Sequence, residues 1–467
     1  MKPDFNSYPV YKDSNEQWIG RVPDHWSVVP NRAIFREIID QNHLDCPLLS
    51  VTISRGIIRQ SDLISNSSKK DSSNLDKSKY KLVQPGDIAY NKMRAWQGAI
   101  GVSDYRGIVS PAYIVVRLRE NHNPKYFHYL FRTPAFAKEA ERWSYGITSD
   151  QWSLRPEHFK MIYCPLPSIE EQDAIVKYLD YMDLRIKRYI RVKKKLIKLL
   201  DEEKQAIIHQ AVTRGLDPKV RFIPSGVEWL GNVPEHWDIE RLKNHVINIT
   251  EQTNRKKNNE IYIALENVES WTGKLVNLDS TITFESQVKR FKPTDLLFGK
   301  LRPYLAKVTD PKVKGVCVGE FFVLRPRNKR LNISFLKFLL TSKPIIDVID
   351  SSTFGAKMPR TSWAFFGSIL LSFPPLLEQE KITKYLEEKT ERIMNVINNI
   401  KLEISFLQEY RTRLIADVVT GKLDVRSAST QLPDDFEELE LIEEETEFDE
   451  DLDDRFEEDF VSEEEEG

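Results

Sequence analysis

Cysteine is scarce: Cys46, Cys164 and Cys317 are the only three in 467 residues, each more than a hundred positions from the next. That spacing makes neither a disulfide framework nor a zinc-ligand pair, and it suits a reducing compartment. No apolar run approaches the roughly 20 residues of a membrane-spanning helix. The opening MKPDFNSYPVYK lacks a signal-type apolar segment, so a cytoplasmic, non-membrane protein is expected. No G-x-x-x-x-G-K-[ST] phosphate loop occurs, because Gly421-Lys422 lacks the upstream glycine. The eight histidines form no i, i+4 pair around a glutamate, so no metal site is indicated. Glu202 and Lys204 have a carboxylate-x-Lys spacing known in nucleases, but they lie in a helical repeat without an acidic strand-end partner. No catalytic residue is expected, and no cofactor or metal is expected to bind this chain.

The net charge of −3 averages two different segments. Residues 433–467 hold 21 acidic side chains and one basic one, Arg455, leaving residues 1–432 with 67 basic and 50 acidic side chains, a balance of +17. A basic body suits a polyanionic partner, with nucleic acid first among them. So dense an acidic run repels itself, and disorder is expected from residue 425 to 467.

The chain also repeats itself. WIGRVPDHW (Trp18–Trp26) returns as WLGNVPEHW (Trp229–Trp237), 211 positions on. PGDIAYNKMRAW (Pro85–Trp96) returns as PTDLLFGKLRPY (Pro293–Tyr304), and GIVSPAYIVVR ending at Arg117 as GVCVGEFFVLR ending at Arg325, both shifted by 208. EQDAIVKYL (Glu171–Leu179) matches EQEKITKYL (Glu378–Leu386) at 207, and VTRGLD from Val212 matches VTGKLD from Val419. Five matches in one order at nearly constant offset make a tandem duplication.

Each copy opens with strand signals and a helical stretch: 82–90, 108–117 and 124–143 in the first, 261–268, 316–324 and 333–349 in the second. A long helix follows, opened in the first copy by an S-x-x-E capping box at Ser168 and Glu171. Coiled-coil spacing marks Ile175, Leu179, Met182, Ile186, Leu196 and Leu200 as its seam, and Ile382, Leu386, Ile393, Val396, Ile400 and Leu407 as that of the second. Two such helices in one chain most simply pack on each other.

Seven basic residues and no acid lie between Lys187 and Lys198; they suit either a solvated helix face or contact with phosphates or an acidic partner. Lys69 and Lys70, and Arg255, Lys256 and Lys257, lie in polar loops that read either as anchors for nucleic acid or as plain surface. Lys92 with Arg94 beside Trp96, and Lys300 with Arg302 beside Tyr304, keep one charge pattern in both copies. They are candidate DNA-binding residues, with a structural turn as the alternative. A coiled-coil scaffold with two protein-binding domains competes with the nucleic-acid reading.

The paired W-x-G-x-V-P-x-H-W segments, GDIAYNKMRAWQGAIG with DLLFGKLRPYLAKV, and the two P-x-x-x-EQ helix starts occur in an order that resembles the DNA-specificity subunits of type I restriction–modification systems. The resemblance covers residues 1 to about 424 and implies an α+β fold. Two mixed α/β target-recognition domains would occupy 1–167 and 215–375. Spacer helices at 168–214 and 376–424 would form an antiparallel coiled coil. It further implies that the chain reads a bipartite site in double-stranded DNA and docks two methyltransferase subunits and restriction (translocase) subunits. S-adenosylmethionine, ATP and Mg2+ would belong to those partners. The acidic tail lies outside the family pattern and suits either a solubilising appendage or an internal mimic of DNA.

Overall fold

A computed structural model describes residues 7–53, 55–64, 77–146, 152–257, 259–278, 287–355 and 358–433. The chain forms two compact units, residues 1–193 with 402–467 and residues 194–401.

The first unit is organised by a four-stranded antiparallel sheet in the order Phe35–Ile38, Tyr113–Leu118, Ile88–Asn91, Ile100–Val102. Side chains alternate across a strand, so Ile88, Tyr90, Ile114 and Val116 face one core and Ala89 and Val115 another. The first core holds Phe127, Phe131 and Phe136 from two short helices. The second is closed by the hairpin Leu49–Thr52/Gly56–Arg59 and the pair Lys81–Val83/Gly107–Val109. Both extended runs expected here are interrupted, at the turn 84–87 and at Ser110–Pro111–Ala112. The helix expected over 124–143 is likewise two, Pro124–Phe131 and Pro134–Arg142. Thr133 caps the second by accepting from Phe136 N at 3.2 Å, and Pro134 takes its first turn.

The repeated P-x-D turn has a specific task. Asp87, buried, takes a two-pronged hydrogen bond from Arg117 at 2.6 and 2.8 Å and accepts from Gln84 N at 2.9 Å. It thereby ties the turn to the neighbouring strand. His128, half-buried, accepts from Val102 N at Nδ1. Burial, with Arg132 and Lys125 nearby, drives its pKa down to about 3. The unfolded chain takes up this proton below about 6.5, while the folded unit refuses it until about 3. Stability of the first unit therefore falls as pH drops through that window. His128→Asn keeps an acceptor where Nδ1 lies, so the loss in urea midpoint between pH 7 and pH 5 will be smaller in the variant.

The second unit repeats the plan. Its sheet runs Val246–Ile249, Phe321–Pro326, Leu296–Gly299, Val308–Thr309, with Leu296, Phe298 and Leu324 on one face and Leu297 and Val323 on the other. A second sheet adds Gln252–Thr253, Val288–Phe291, Gly315–Cys317 and Ile261–Ile263, the last pair parallel. The strand and helix expected over 261–268 and 333–349 again break, into Ile261–Ile263 plus a 3-10 turn, and Ile333–Leu340 plus Lys343–Ser351. Arg325 and Asp295 repeat the forked pair at 2.8 and 2.6 Å.

The long helices are Ile169–Arg214 and Leu376–Val419. In the first unit Asp183 pairs with Arg411, and Lys193 with Glu403. Rising numbers on one helix meet falling numbers on the other, so the helices are antiparallel. Ile175 and Leu179 are buried there with Leu414, Val418 and Val419, Met182 packs against the same core, and Ile186 is buried further along the helix. In the second unit Ile208 and Val212 are buried with Ile382 and Leu386, Ile400 is buried, and Leu200 and Ile393 are half-buried; in the first unit Leu407 is half-buried. Two expected seam positions are corrected: Leu196 is 43% exposed and Val396 47%, while the adjacent Ile397 is buried. The heptad steps from Ile393 to Ile397 and then Ile400, so the four-residue stride comes before the three-residue one instead of after it.

The E-Q pair opening each helix is a joint. Glu171 accepts from Tyr8 Oη at 2.6 Å and lies 2.9 Å from His25 Nε2; Glu378 lies 2.8 Å from His236 Nε2 and accepts from Trp237 Nε1 at 3.2 Å. The glutamates thus hold the W-x-G-x-V-P-x-H-W segment. Glu171 N still approaches Ser168 Oγ at 3.4 Å, but the Glu171 carboxylate does not complete the expected capping box. Gln172 and Gln379 accept from Asn123 N and Asn332 N at 2.9 and 2.8 Å, fixing the caps of the following short helices. The second long helix stops at Val419 rather than 424, and Gly421 (φ 78°) lies where a Cβ would come within 2.4 Å of Pro23. The tail expected from 425 also starts later. Val425 is buried in the first unit's core and Arg426–Thr430 is helical, because this segment covers Trp26 and Tyr8. Residues 434–467 lie outside the described residues.

Candidate nucleic-acid interface

In the first unit the strand Ile88–Asn91 runs out into a tight turn that presents Lys92 and Arg94. Asn91 Oδ1 accepts from Met93 N at 3.0 Å, Trp96 Nε1 donates to Met93 O at 2.9 Å, and Gly98 closes the turn at φ 93°. Arg94 is exposed and Lys92 half-buried. Trp96 meets Trp152 edge-on at 5.6 Å, and Tyr145 stands 59% exposed on the adjoining loop. Beside the turn opens a polar cavity of about 310 Å³, lined by Ser50, Gln60, Tyr80, Asn91, Ser110 and Tyr113 among others.

The second unit places the equivalent segment after Leu296–Gly299, with a different backbone course. It carries Lys300, and Arg302 in the left-handed region (φ 49°), with Arg302 N donating to Pro359 O at 2.8 Å. Tyr304, Phe354 and Met358 are exposed around it. Here the charges are partly compensated. Lys300 Nζ lies 3.9 Å from Glu320, whose carboxylate also accepts from Arg360 at 3.1 and 3.3 Å. Each expected pair, Lys92 with Arg94 and Lys300 with Arg302, therefore shares one turn. Arg255, Lys256 and Lys257 lie on a separate loop, where Arg255 O accepts from Arg290 and Lys257 N donates to Glu260. Lys69 and Lys70 fall outside the described residues.

Two buried cations escaped sequence reasoning. Lys81 donates to Tyr113 O at 2.7 Å and Lys289 to Phe321 O at 2.6 Å, behind the two turns. Burial pushes both ammonium groups down in pKa. Their positions differ by 208, so the repeat itself could have revealed them. No group of residues suited to a metal ion occurs among the described residues, and no described helix is long and apolar enough to cross a membrane.

Residues 51–198 match the family profile described as the type I restriction modification DNA specificity domain. The chain is similar to the specificity subunit of the Escherichia coli type I restriction enzyme EcoDI, 23% identical over 280 residues, covering 55% of this chain and 62% of that one. It thus spans under two thirds of that relative's length. A putative type I restriction enzyme MjaX specificity subunit from Methanocaldococcus jannaschii is 24% identical over 447 residues, covering 89% and 98%. A solved chain from a type I restriction–modification system study has the same fold, with a TM-score of 0.63 at 14% identity over 85% of this chain and 98% of that one.

Proposed function

Because the chain belongs to the type I restriction–modification specificity-subunit family, we propose that it reads a bipartite, asymmetric site in double-stranded DNA. Each unit reads one half. The recognition domains are assigned to 1–167 and 215–375, and the spacer segments to 168–214 and 376–424, the second of them helical as far as Val419. One observation carries this reading: a basic, aromatic-flanked segment at the same place in the repeat leaves the same sheet strand in both units. Lysine and arginine there neutralise phosphates, while the arginine fork and exposed rings can meet base edges.

The chain itself catalyses nothing in this scheme. It directs two methyltransferase subunits and restriction subunits, which hold S-adenosylmethionine, ATP and Mg2+. The long helices supply the docking face. In the first unit Tyr189, Val192, Leu402 and Phe406 are exposed along them, and in the second Leu196, Leu199 and Val396. Apolar side chains at this density suit a protein partner.

Replacing Arg94 or Arg302 with alanine will cost about 1–3 kcal/mol of DNA affinity if the side chain meets a base, and will relax one half-site only. Competition binding against sites randomised in either half checks this. A uniform loss with a shallower salt dependence would make the residue a phosphate contact. Binding no steeper in salt than that of a neutral protein would favour the scaffold reading.

A further inference from the structure

Among the differences between the two reading turns is a charged pair, Glu320 with Arg360, that has no counterpart in the first. In the repeat, Glu320 falls on Ala112 at an offset of 208, and Arg360 falls on Ser153 at 207. The backbone supports the second equivalence. Leu154 N donates to Lys92 O at 2.7 Å, and Thr361 N to Lys300 O at 3.1 Å, so both loops return to the same point of their turns. Tyr145 bridges Ser153 as Phe354 bridges Arg360. The first unit therefore has neither the carboxylate nor the guanidinium.

Arg360 is held at both ends. Its backbone exchanges hydrogen bonds with Phe354 at 3.1 and 3.2 Å, and the neighbouring Pro359 O accepts from Arg302 N at 2.8 Å. Glu320 takes the side-on edge of the guanidinium, Oε2 accepting from Nε at 3.1 Å and Oε1 from Nη2 at 3.3 Å. That leaves the end-on edge, Nη1 and the second hydrogen of Nη2; no described residue accepts from Nη1, and the side chain is 42% exposed. A fork fixed this way has little rotamer freedom left to lose on binding.

Two parallel donors fit an edge with two acceptors. In the major groove that edge is guanine O6 and N7. A phosphate would also take a fork, but Glu320 lies alongside it, and two anions so close repel. A neutral base edge meets no such penalty. We infer that Arg360, positioned by Glu320, is a specificity-determining residue of the second unit and reads a guanine in its half-site. This rests on the DNA-reading function proposed above.

The test maps methylated bases genome-wide in host cells whose full-length chain carries Arg360→Ala, Arg360→Lys or Glu320→Gln. With Arg360→Ala and Arg360→Lys, discrimination at one guanine will fall about 5- to 150-fold, while the other half of the motif stays unchanged. Glu320→Gln will relax the same position more weakly. Lysine keeps the charge but not the fork, so an intact motif with Arg360→Lys overturns the inference, even if Arg360→Ala abolishes methylation through misfolding. Equal relaxation in both halves overturns it as well. If the unaltered chain directs no methylation motif, the DNA-reading function itself fails, and the inference with it.

Discussion

Residues 1–214 expressed alone will sediment as a two-fold dimer at micromolar concentration. In the whole chain Leu414, Val418, Val419 and Val425 complete the core of the first unit beside Trp26 and Tyr126. The fragment lacks all four, and it exposes Ile175, Leu179 and Ile186. Each large apolar side chain left in water forfeits roughly 1.5–3 kcal/mol. A second copy can close the gap. Shifted by 207, Val418 and Val419 become Ala211 and Val212, and Leu414 becomes Ile207. An antiparallel partner would bring these residues to the same place, as isologous pairing of one surface requires. The weak point is the centre. Lys193 pairs with Glu403 in the intact chain, and the 207 shift puts Leu196 where Glu403 was. The lysine then loses its carboxylate near its own symmetry mate, so Lys193→Ile will tighten the dimer. On the DNA-reading function proposed above, two identical domains would prefer an inverted repeat in DNA. Sedimentation velocity decides the first point. A fragment that stays folded and monomeric at micromolar concentration would sink the antiparallel exchange of helices.

Asp87→Ala and Asp295→Ala will each lower stability by about 3–4 kcal/mol. Their side chains are 2% and 0% exposed, and each holds an arginine in a fork and one backbone N–H of its turn. Removing the carboxylate leaves the guanidinium with no counter-charge at this position. The arginines are 31% and 24% exposed, so water relieves part of the cost and the value lies toward the low end for a broken buried pair. For units of this size the thermal midpoint should drop by about 6–16 °C. Calorimetry of the single variants and of Asp87→Ala/Arg117→Met separates the terms. The double variant will recover part of the loss, because no unpaired charge remains. Strictly additive losses would show that the two side chains do not act as a pair.

Much of this architecture is legible in the residues, for a local reason. The duplication is a matter of identity at a fixed offset. Ile175, Leu179 and Ile186 carry their helical spacing within the helix itself. The breaks were harder. Pro134 looks tolerable inside a run of helix formers until Thr133 supplies the cap that starts a new helix. Both Val396 and Ile397 are apolar, as are Leu196 and Ile197. Which of each pair faces inward is set by the opposing helix, and no local pattern carries that information.

The interface divides the same way. Lys92, Arg94, Lys300 and Arg302 can be picked out from one sequence because both copies keep them. Arg360 cannot, because its counterpart is Ser153 and a search for matched charges passes over it. What a cation can do depends on its neighbours in space. Glu320, eighteen residues beyond Arg302 and forty before Arg360, lies against Lys300 and Arg360 only after the chain has folded. Local spacing thus sets the elements, their order and their repetition, since these depend on interactions within a few residues. The tertiary structure alone sets which apolar side chains form the seam and which charges stand free, since burial and Coulomb attraction act between groups that the sequence keeps far apart.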